Sequence, residues 1–233
     1  MNEQPLGVPL DWTPPSPPRP TTLTGRHVTL RPLAAADDAA DLYAVSHPPD
    51  GDPRIWTYLF DGPYPDRAAM QRALLVAERS EDPLSFTVVP AASGRPAGIA
   101  SYLRITPGHG TIEIGNIWFA GALQRTVAAT EVIYLLARHA FDELGYRRLE
   151  WKCNALNAPS RRAALRFGFQ FEGVFEQHMV VKGRNRDTAW YAITDRRWPG
   201  IREGFEAWLD PRNFDPDGRQ RLPLRELTCQ SKQ

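Results

Sequence analysis

The chain of 233 residues contains only two cysteines, Cys153 and Cys229, and they stand far apart. That spacing excludes a disulfide framework and any CxxC redox or metal pair. Its five histidines, His27, His47, His109, His139 and His178, fall without ligand spacing, so no metal site is expected. Long apolar runs are missing as well: nothing approaches the roughly 18 residues that a membrane-spanning helix needs. The opening "MNEQPLGVPLDW" lacks the charged head and apolar stretch of a signal peptide. Charge of one sign is absent too, since the formal net charge is +1. A balanced surface gives no general attraction to nucleic acid or to a membrane, which leaves an RNA- or DNA-associated adaptor as the weakest reading. Lysine is scarce: of 28 basic residues only Lys152, Lys182 and Lys232 are lysines. Together these absences point to a cytoplasmic protein.

What is present is the composition of a globular enzyme or binding module, 42% hydrophobic and 24% charged. Residues 1–23 form a Pro-rich arm, extended and wrapped on a surface or loose. Residues 24–198 read as one α/β domain, and 199–233 as a helix, "GIREGFEAWL", followed by polar coil. Within the domain, "HVTLRPL" (27–33) alternates as a strand does, and helices are expected over 35–45 and 66–80. Between them, the loop 46–65 carries Trp56, Tyr58, Phe60 and Tyr64, which either line a pocket or pack on the core. Three strands follow (84–90, 97–105, 111–119), then a long helix from Thr126 to Leu144 and a strand at 147–153. The stretch "NAPSRRAALRFGF" (157–169) is a short helix with Pro159 in its first turn and Gly168 past its end. Two strands, "FQFEGVFEQHMVV" and "DTAWYAITD", close the domain. Antiparallel pairs leading into a strand–helix–strand crossover make a mixed sheet with helices on both faces.

This order, with three of its stretches, resembles the GNAT acyltransferase superfamily, in the branch of RimJ and RimL, the ribosomal-protein N-acetyltransferases. "GRHVTLRPL", "IEIGNIWF…LQRTVAATE" and "NAPSRRAALRFGF" carry the resemblance, which spans about residues 24–195. It implies a mostly antiparallel central sheet, acetyl-CoA as co-substrate (succinyl-CoA or another acyl-CoA being the alternative), and a primary amine as acceptor. The amine belongs to a small molecule or to a protein N-terminus, and a homodimer stays open.

The chemistry can be attached to residues. A CoA pyrophosphate needs a seat of backbone N–H groups, which a helix N-terminus provides. "QRTVAAT" stands at such a terminus, so Gln124, Arg125, Thr126, Val127, Ala128, Ala129 and Thr130 are the candidate loop. Its alternative is a plain helix start. The family pattern places glycine where this chain has Val127, so the loop is expected to curl with right-handed angles throughout. Ile117, Trp118 and Phe119 resemble the pantetheine-binding strand, one residue longer than usual, which suggests a bulge. Glu113, between Ile112 and Ile114, points to the opposite face from them. The resemblance makes it the base that takes the acceptor's proton; otherwise it is solvated.

Many relatives carry a tyrosine as general acid farther along the short helix, where this chain has Ala164. The resemblance assigns that task to Ser160, with Asn157 holding the pantetheine arm; the plain alternative is that Ser160 caps the helix. Cys153 reads as a buried structural thiol. His178, Lys182, Arg184 and Arg186 read as a solvated hairpin, with an acidic acceptor or the CoA phosphate as the other use. Val127 and the missing tyrosine also raise a second reading, a catalytically silent CoA-binding or regulatory module.

Overall fold

Alternating apolar and polar residues, as in "TIEIGNIWF", build a pleated strand with two unlike faces. In the computed structural model, which describes residues 4–229, such segments join one eight-stranded sheet. Residues 1–3 of the expected arm and 230–233 of the expected tail, including Lys232, lie outside the described residues. The strands are β1 (Leu23–Thr24), β2 (Val28–Pro32), β3 (Leu84–Pro90), β4 (Gly98–Thr106), β5 (Thr111–Phe119), β6 (Arg148–Asn154), β7 (Gln170–Val181) and β8 (Arg184–Thr194). Across the sheet they run β1-β2-β3-β4-β5-β6-β8-β7. Every neighbouring pair is antiparallel except β5–β6. The mixed, mostly antiparallel α/β fold is thus the one the chain adopts.

The helices are α1 (Ala35–Ser46), α2 (Arg67–Glu78), α3 (Val127–Arg138), α4 (Ala158–Arg166), α5 (Trp198–Leu209) and α6 (Leu224–Cys229). Three of them begin on a side-chain cap. Asp66 accepts from the Ala69 N–H at 2.7 Å, Thr126 from Ala129 at 3.1 Å, and Asn157 from Ser160 at 3.1 Å. Each cap satisfies an N–H that the helix leaves unpaired and stabilises by about 0.5–2 kcal/mol. Gly168 ends the α4 segment at φ +86°, left-handed backbone that suits glycine.

Two expectations shift. The long helix is regular only to Arg138, and residues His139–Glu143 form a wider π-turn. At that point the Tyr102 hydroxyl donates to the Leu136 carbonyl at 2.5 Å, a side chain intruding on the helix ladder. The coil after α5 contains α6, a six-residue helix too short for a periodic signal.

Helices cover both faces. Leu42, Met70 and Leu74 of α1 and α2 pack with Leu33, Trp56, Ile99 and Trp118 on one side. On the other, α3, α4 and α5 cover Ile112, Ile114, Leu149, Ala189 and Tyr191, with Phe205 and Trp208 of α5 inside the same core. Glu131 of α3 fastens that layer to the first hairpin by accepting from the N–H groups of Arg26, His27 and Val28 at 2.6–3.1 Å. The N-terminal arm lies on the surface, with Arg147 over the Trp12 ring at 5.4 Å. Among the described residues no helix is long and apolar enough to cross a membrane.

Candidate active site

The parallel pair β5–β6 holds for only three residues, Thr111–Glu113 against Arg148–Glu150. Beyond them the strands part, β5 staying with β4 and β6 with β8. Each then leads into a helix N-terminus, β5 into α3 and β6 into α4. A fork at the carboxyl ends of parallel strands, flanked by two helix N-termini, is where a ligand with anionic groups is best received.

Bulges shape the fork. Ile99 pairs with Trp118 and Ser101 with Gly115, so β5 carries one extra residue, and Asn116 takes φ +48°. This is the bulge that the longer strand suggested, turning backbone away from β4. A second bulge on β4 puts Arg104 at φ +48°, its N–H and that of Ile105 taken by the Asp82 carboxylate at 2.9 and 3.0 Å.

Glu113 sits at the point of the fork. Its side chain is 3% exposed, on the face opposite Ile112 and Ile114, so it is not solvated. Oε2 pairs with Arg104 Nη1 at 2.8 Å and with Lys152 Nζ at 2.9 Å. Oε1 has no hydrogen-bond partner among the described residues. Gly115 keeps space beside it, since a Cβ there would lie 3.1 Å from Oε1 and 2.7 Å from Leu103 Cδ2. Burial pushes the Glu113 carboxyl above its ordinary range, with Lys152 and Arg104 pulling against it. Lys152 also pairs with Glu150 at 2.6 Å and lies 4.0 Å from the centre of the Trp190 ring. Burial pushes Glu150 upward, but hydrogen bonds from Lys152 and Arg148 outweigh it and hold this carboxyl below its usual value.

The loop before α3 is a tight turn in which Leu123 and Gln124 both donate to the Ala120 carbonyl. Its angles are not right-handed throughout: Arg125 takes φ +64°. The left-handed step falls on arginine, and Val127, in the first helical turn, packs toward the core. Three of the polar side chains are engaged inside the protein. Gln124 donates to the Phe119 carbonyl, Thr126 caps α3, and the Thr130 hydroxyl accepts from Arg166 Nη1 at 3.1 Å. Among the described residues the N–H groups of Arg125, Val127 and Ala128 have no acceptor. Ile117 and Phe119 pack toward the α3 side, and the Trp118 ring is buried against Trp56 on the other.

At the second helix N-terminus, Asn157 is the cap and Ser160 is not. The Ser160 Oγ accepts from Trp151 Nε1 at 3.0 Å. Its neighbour Cys153 is a buried free thiol; burial pushes it up, and a hydrogen bond with Ser160 pulls it back. Ala164 is wholly buried.

Comparison with known proteins settles the family. Residues 27–170 match the acetyltransferase (GNAT) domain. The chain belongs to the GNAT acetyltransferase family. A GCN5-related N-acetyltransferase from Brucella melitensis is 46% identical, covering 94% of this chain and 99% of its own, with a TM-score of 0.91. A structure from Chromobacterium violaceum, described as a GNAT-family acetyltransferase, is 38% identical over 85% of this chain and all of its own, with a TM-score of 0.77. The uncharacterised N-acetyltransferase p20 of Bacillus licheniformis is 25% identical over 77% of this chain and 99% of its own. GNAT enzymes transfer acyl groups from acyl-CoA to amine acceptors, and that general activity is this chain's.

The GNAT fork has residues that local sequence did not announce. Arg104 and Lys152 reach Glu113 only through strand register and a bulge. The expectation of a solvated β7–β8 hairpin holds for His178, Lys182 and Arg184, which are exposed, and fails at Arg186, which is buried. Lys182 Nζ donates to the carbonyls of Trp56, Asp61 and Gly62 at 2.9, 3.0 and 2.7 Å, binding the hairpin tip to the 51–65 loop. That loop divides its aromatics: Trp56 is buried in the core, Tyr58 donates to the Leu156 carbonyl, and Phe60 faces Arg186. Arg186 is buried, and His178 Nδ1 meets the Thr188 hydroxyl at 3.0 Å. Burial, with Arg104, Arg186 and Lys152 nearby, holds His178 below its usual value. A depression of about 450 Å³ among His109, Arg147 and Arg196 lies at the other end of β5 and β6, away from the parted strands.

Proposed function

We propose that the protein transfers an acetyl group from acetyl-CoA directly to a primary amine, as a member of the RimJ/RimL-like branch, with Glu113 as general base. The observation that carries this is the fork itself: parted strands, with a buried carboxylate at their junction whose Oε1 no protein group occupies. The pantetheine arm, with its peptide-like amides, would extend along the unpaired edge of β5 at Ile117–Phe119, as an added strand does, with Asn157 on its other side. The pyrophosphate would rest on the N–H groups of Arg125, Val127 and Ala128 at the α3 N-terminus.

An amine attacks only when neutral, so a carboxylate raised toward neutrality can take its proton directly or through water. The nitrogen forms its bond to the thioester carbonyl carbon, the carbon–sulfur bond breaks, and CoA leaves as thiolate. Ser160, whose oxygen accepts from Trp151 and whose hydroxyl bonds Cys153, would turn its O–H from Cys153 to that sulfur. Calorimetric titration with acetyl-CoA, followed by CoA release measured across a panel of amines, tests the reading. Binding with acetylation supports it. Binding without acetylation of any amine favours the silent module, and no binding of any acyl-CoA refutes both.

A further inference from the structure

We propose that the acceptor amine carries an oxyanion, a carboxylate or a phosphate, that is held by Arg186 beside Glu113. The inference rests on the acyl-transfer reading above, since it names what else the acceptor must contain. Arg186 is only 7% exposed. Its guanidinium makes no hydrogen bond and no ion pair with any described residue, and its Nε is fully enclosed. Its Cζ lies 5.0 Å from the centre of the Phe60 ring. A buried charge is ordinarily paired or coordinated, because an unpaired one loses its hydration without compensation.

The other charges at the fork follow that rule. Arg104 pairs with Glu113, Lys152 with Glu113 and Glu150, and Arg148 with Glu150 and Glu172. Arg186 is the positive charge left over. Burial lowers its pKa, and it is close enough to feel both Glu113 and Arg104.

Its position says which ligand would pair with it. Arg186, Thr188 and Trp190 alternate along β8 with Ala189, Tyr191 and Ile193, which face α3. Arg186 therefore shares the face of Glu113 and Lys152, across the sheet from the helix whose N-terminus would seat the CoA phosphates. The acceptor occupies that face. The Trp190 indole N–H, also buried and unpaired, points a second donor from the same side of the strand. Arginine's planar fork suits a carboxylate or a phosphate equally.

Three measurements on the full chain test the proposal. Arg186→Met keeps the side-chain length against Phe60 and removes the charge, so the unliganded variant should melt higher than wild type. A melting temperature lower by several degrees would show that the protein itself satisfies the guanidinium, and would overturn the proposal. Millimolar glutarate or inorganic phosphate, each against chloride at equal ionic strength, should raise the melting temperature of wild type and not of Arg186→Met. Equal shifts in both proteins would mark the binding as unspecific and also overturn it. The source of the oxyanion is read from matched amines. Glycylglycine over glycylglycinamide indicates a carboxylate, and phosphoethanolamine over ethanolamine a phosphate. The preferred member should gain about 10–100-fold in kcat/KM, and Arg186→Met should lose that gain. Equal kcat/KM within both pairs in wild type would refute the proposal. Acetyl-CoA should raise the melting temperature of both proteins alike; failure of that control would count against acyl transfer, separately from the anion.

Discussion

Ile112 and Glu113 are neighbours on β5 and lie on opposite faces of one sheet, both buried, for opposite reasons. Toward α3 the strands present Ile112, Ile114, Leu149, Ala189, Tyr191 and Ile193, sealed by helix packing. Toward the hairpin and the 51–65 loop they present Glu113, Glu150 and Lys152, paired with one another, and the buried Arg186 and Thr188. The first face contributes roughly 1.5–3 kcal/mol for each large apolar side chain removed from water. The second holds charges whose desolvation is only partly offset by pairing. The same period-2 alternation thus divides the labour, with the apolar face supplying the stability that lets the other keep a reactive arrangement.

Five substitutions would break or sharpen that division. The largest effect is expected from Glu113→Gln, which should lower turnover about 10²–10⁴-fold while acetyl-CoA affinity, read by calorimetry, is retained. The pH profile should change with it. Burial holds this carboxyl above its ordinary value, and a base must be deprotonated, so wild-type kcat/KM should climb as pH rises through that raised pKa. The variant should lose that limb, and unchanged turnover would remove Glu113 from the chemistry. Next, Ile112→Ala on the other face should cost about 2–5 kcal/mol in denaturant titration and leave turnover per folded molecule intact. A loss of turnover there would mean that the two faces are not separable.

The third test is at α4, where Asn157→Ala removes the helix cap and should cost about 0.5–2 kcal/mol of stability. Ser160→Ala takes an acceptor from Trp151, worth about 1 kcal/mol, and should also slow the single-turnover rate. If that rate is unchanged, Ser160 is only a partner of Trp151 and Cys153. The smallest effect belongs to Val127→Gly. With the left-handed turn carried by Arg125, glycine in the first turn should lower stability by about 1 kcal/mol and bring no gain in CoA affinity. A severalfold tighter titration would show that the valine had obstructed the loop.

The fold was legible where one face of a strand is buried and turns bound it: β3 and β5 match their expected residues at both ends. The places of Glu113 and the α3 loop were legible because each belongs to a local pattern of strand or helix start, whereas the α4 cap, expected at Ser160 on the plain alternative, falls on Asn157. Arg104, Lys152 and Arg186 were not. Their roles depend on Glu113 lying opposite Glu150, on a bulge at Arg104 and on the register of β8 against β6, none of which leaves a local spacing. The hairpin run is solvated at Lys182 and Arg184 as it looked, and only Arg186 is buried, because charge alone does not reveal what stands above it. The α3 loop misled differently: valine in a glycine's place suggested right-handed angles, and the chain moved the left-handed step two residues upstream.

The scarcity of lysine acquires a meaning from the two that are described. A protein that handles an activated thioester also meets it as a reagent, because an exposed neutral amine can attack it unaided. Lys152 keeps its nitrogen between Glu113 and Glu150, in a side chain 3% exposed. Lys182 has three N–H bonds and directs them at three carbonyls. The remaining cations of the described chain are arginines, which stay protonated and do not compete for acyl groups. Neither described lysine turns a free lone pair outward, so among the described residues no lysine is offered to the enzyme's own donor.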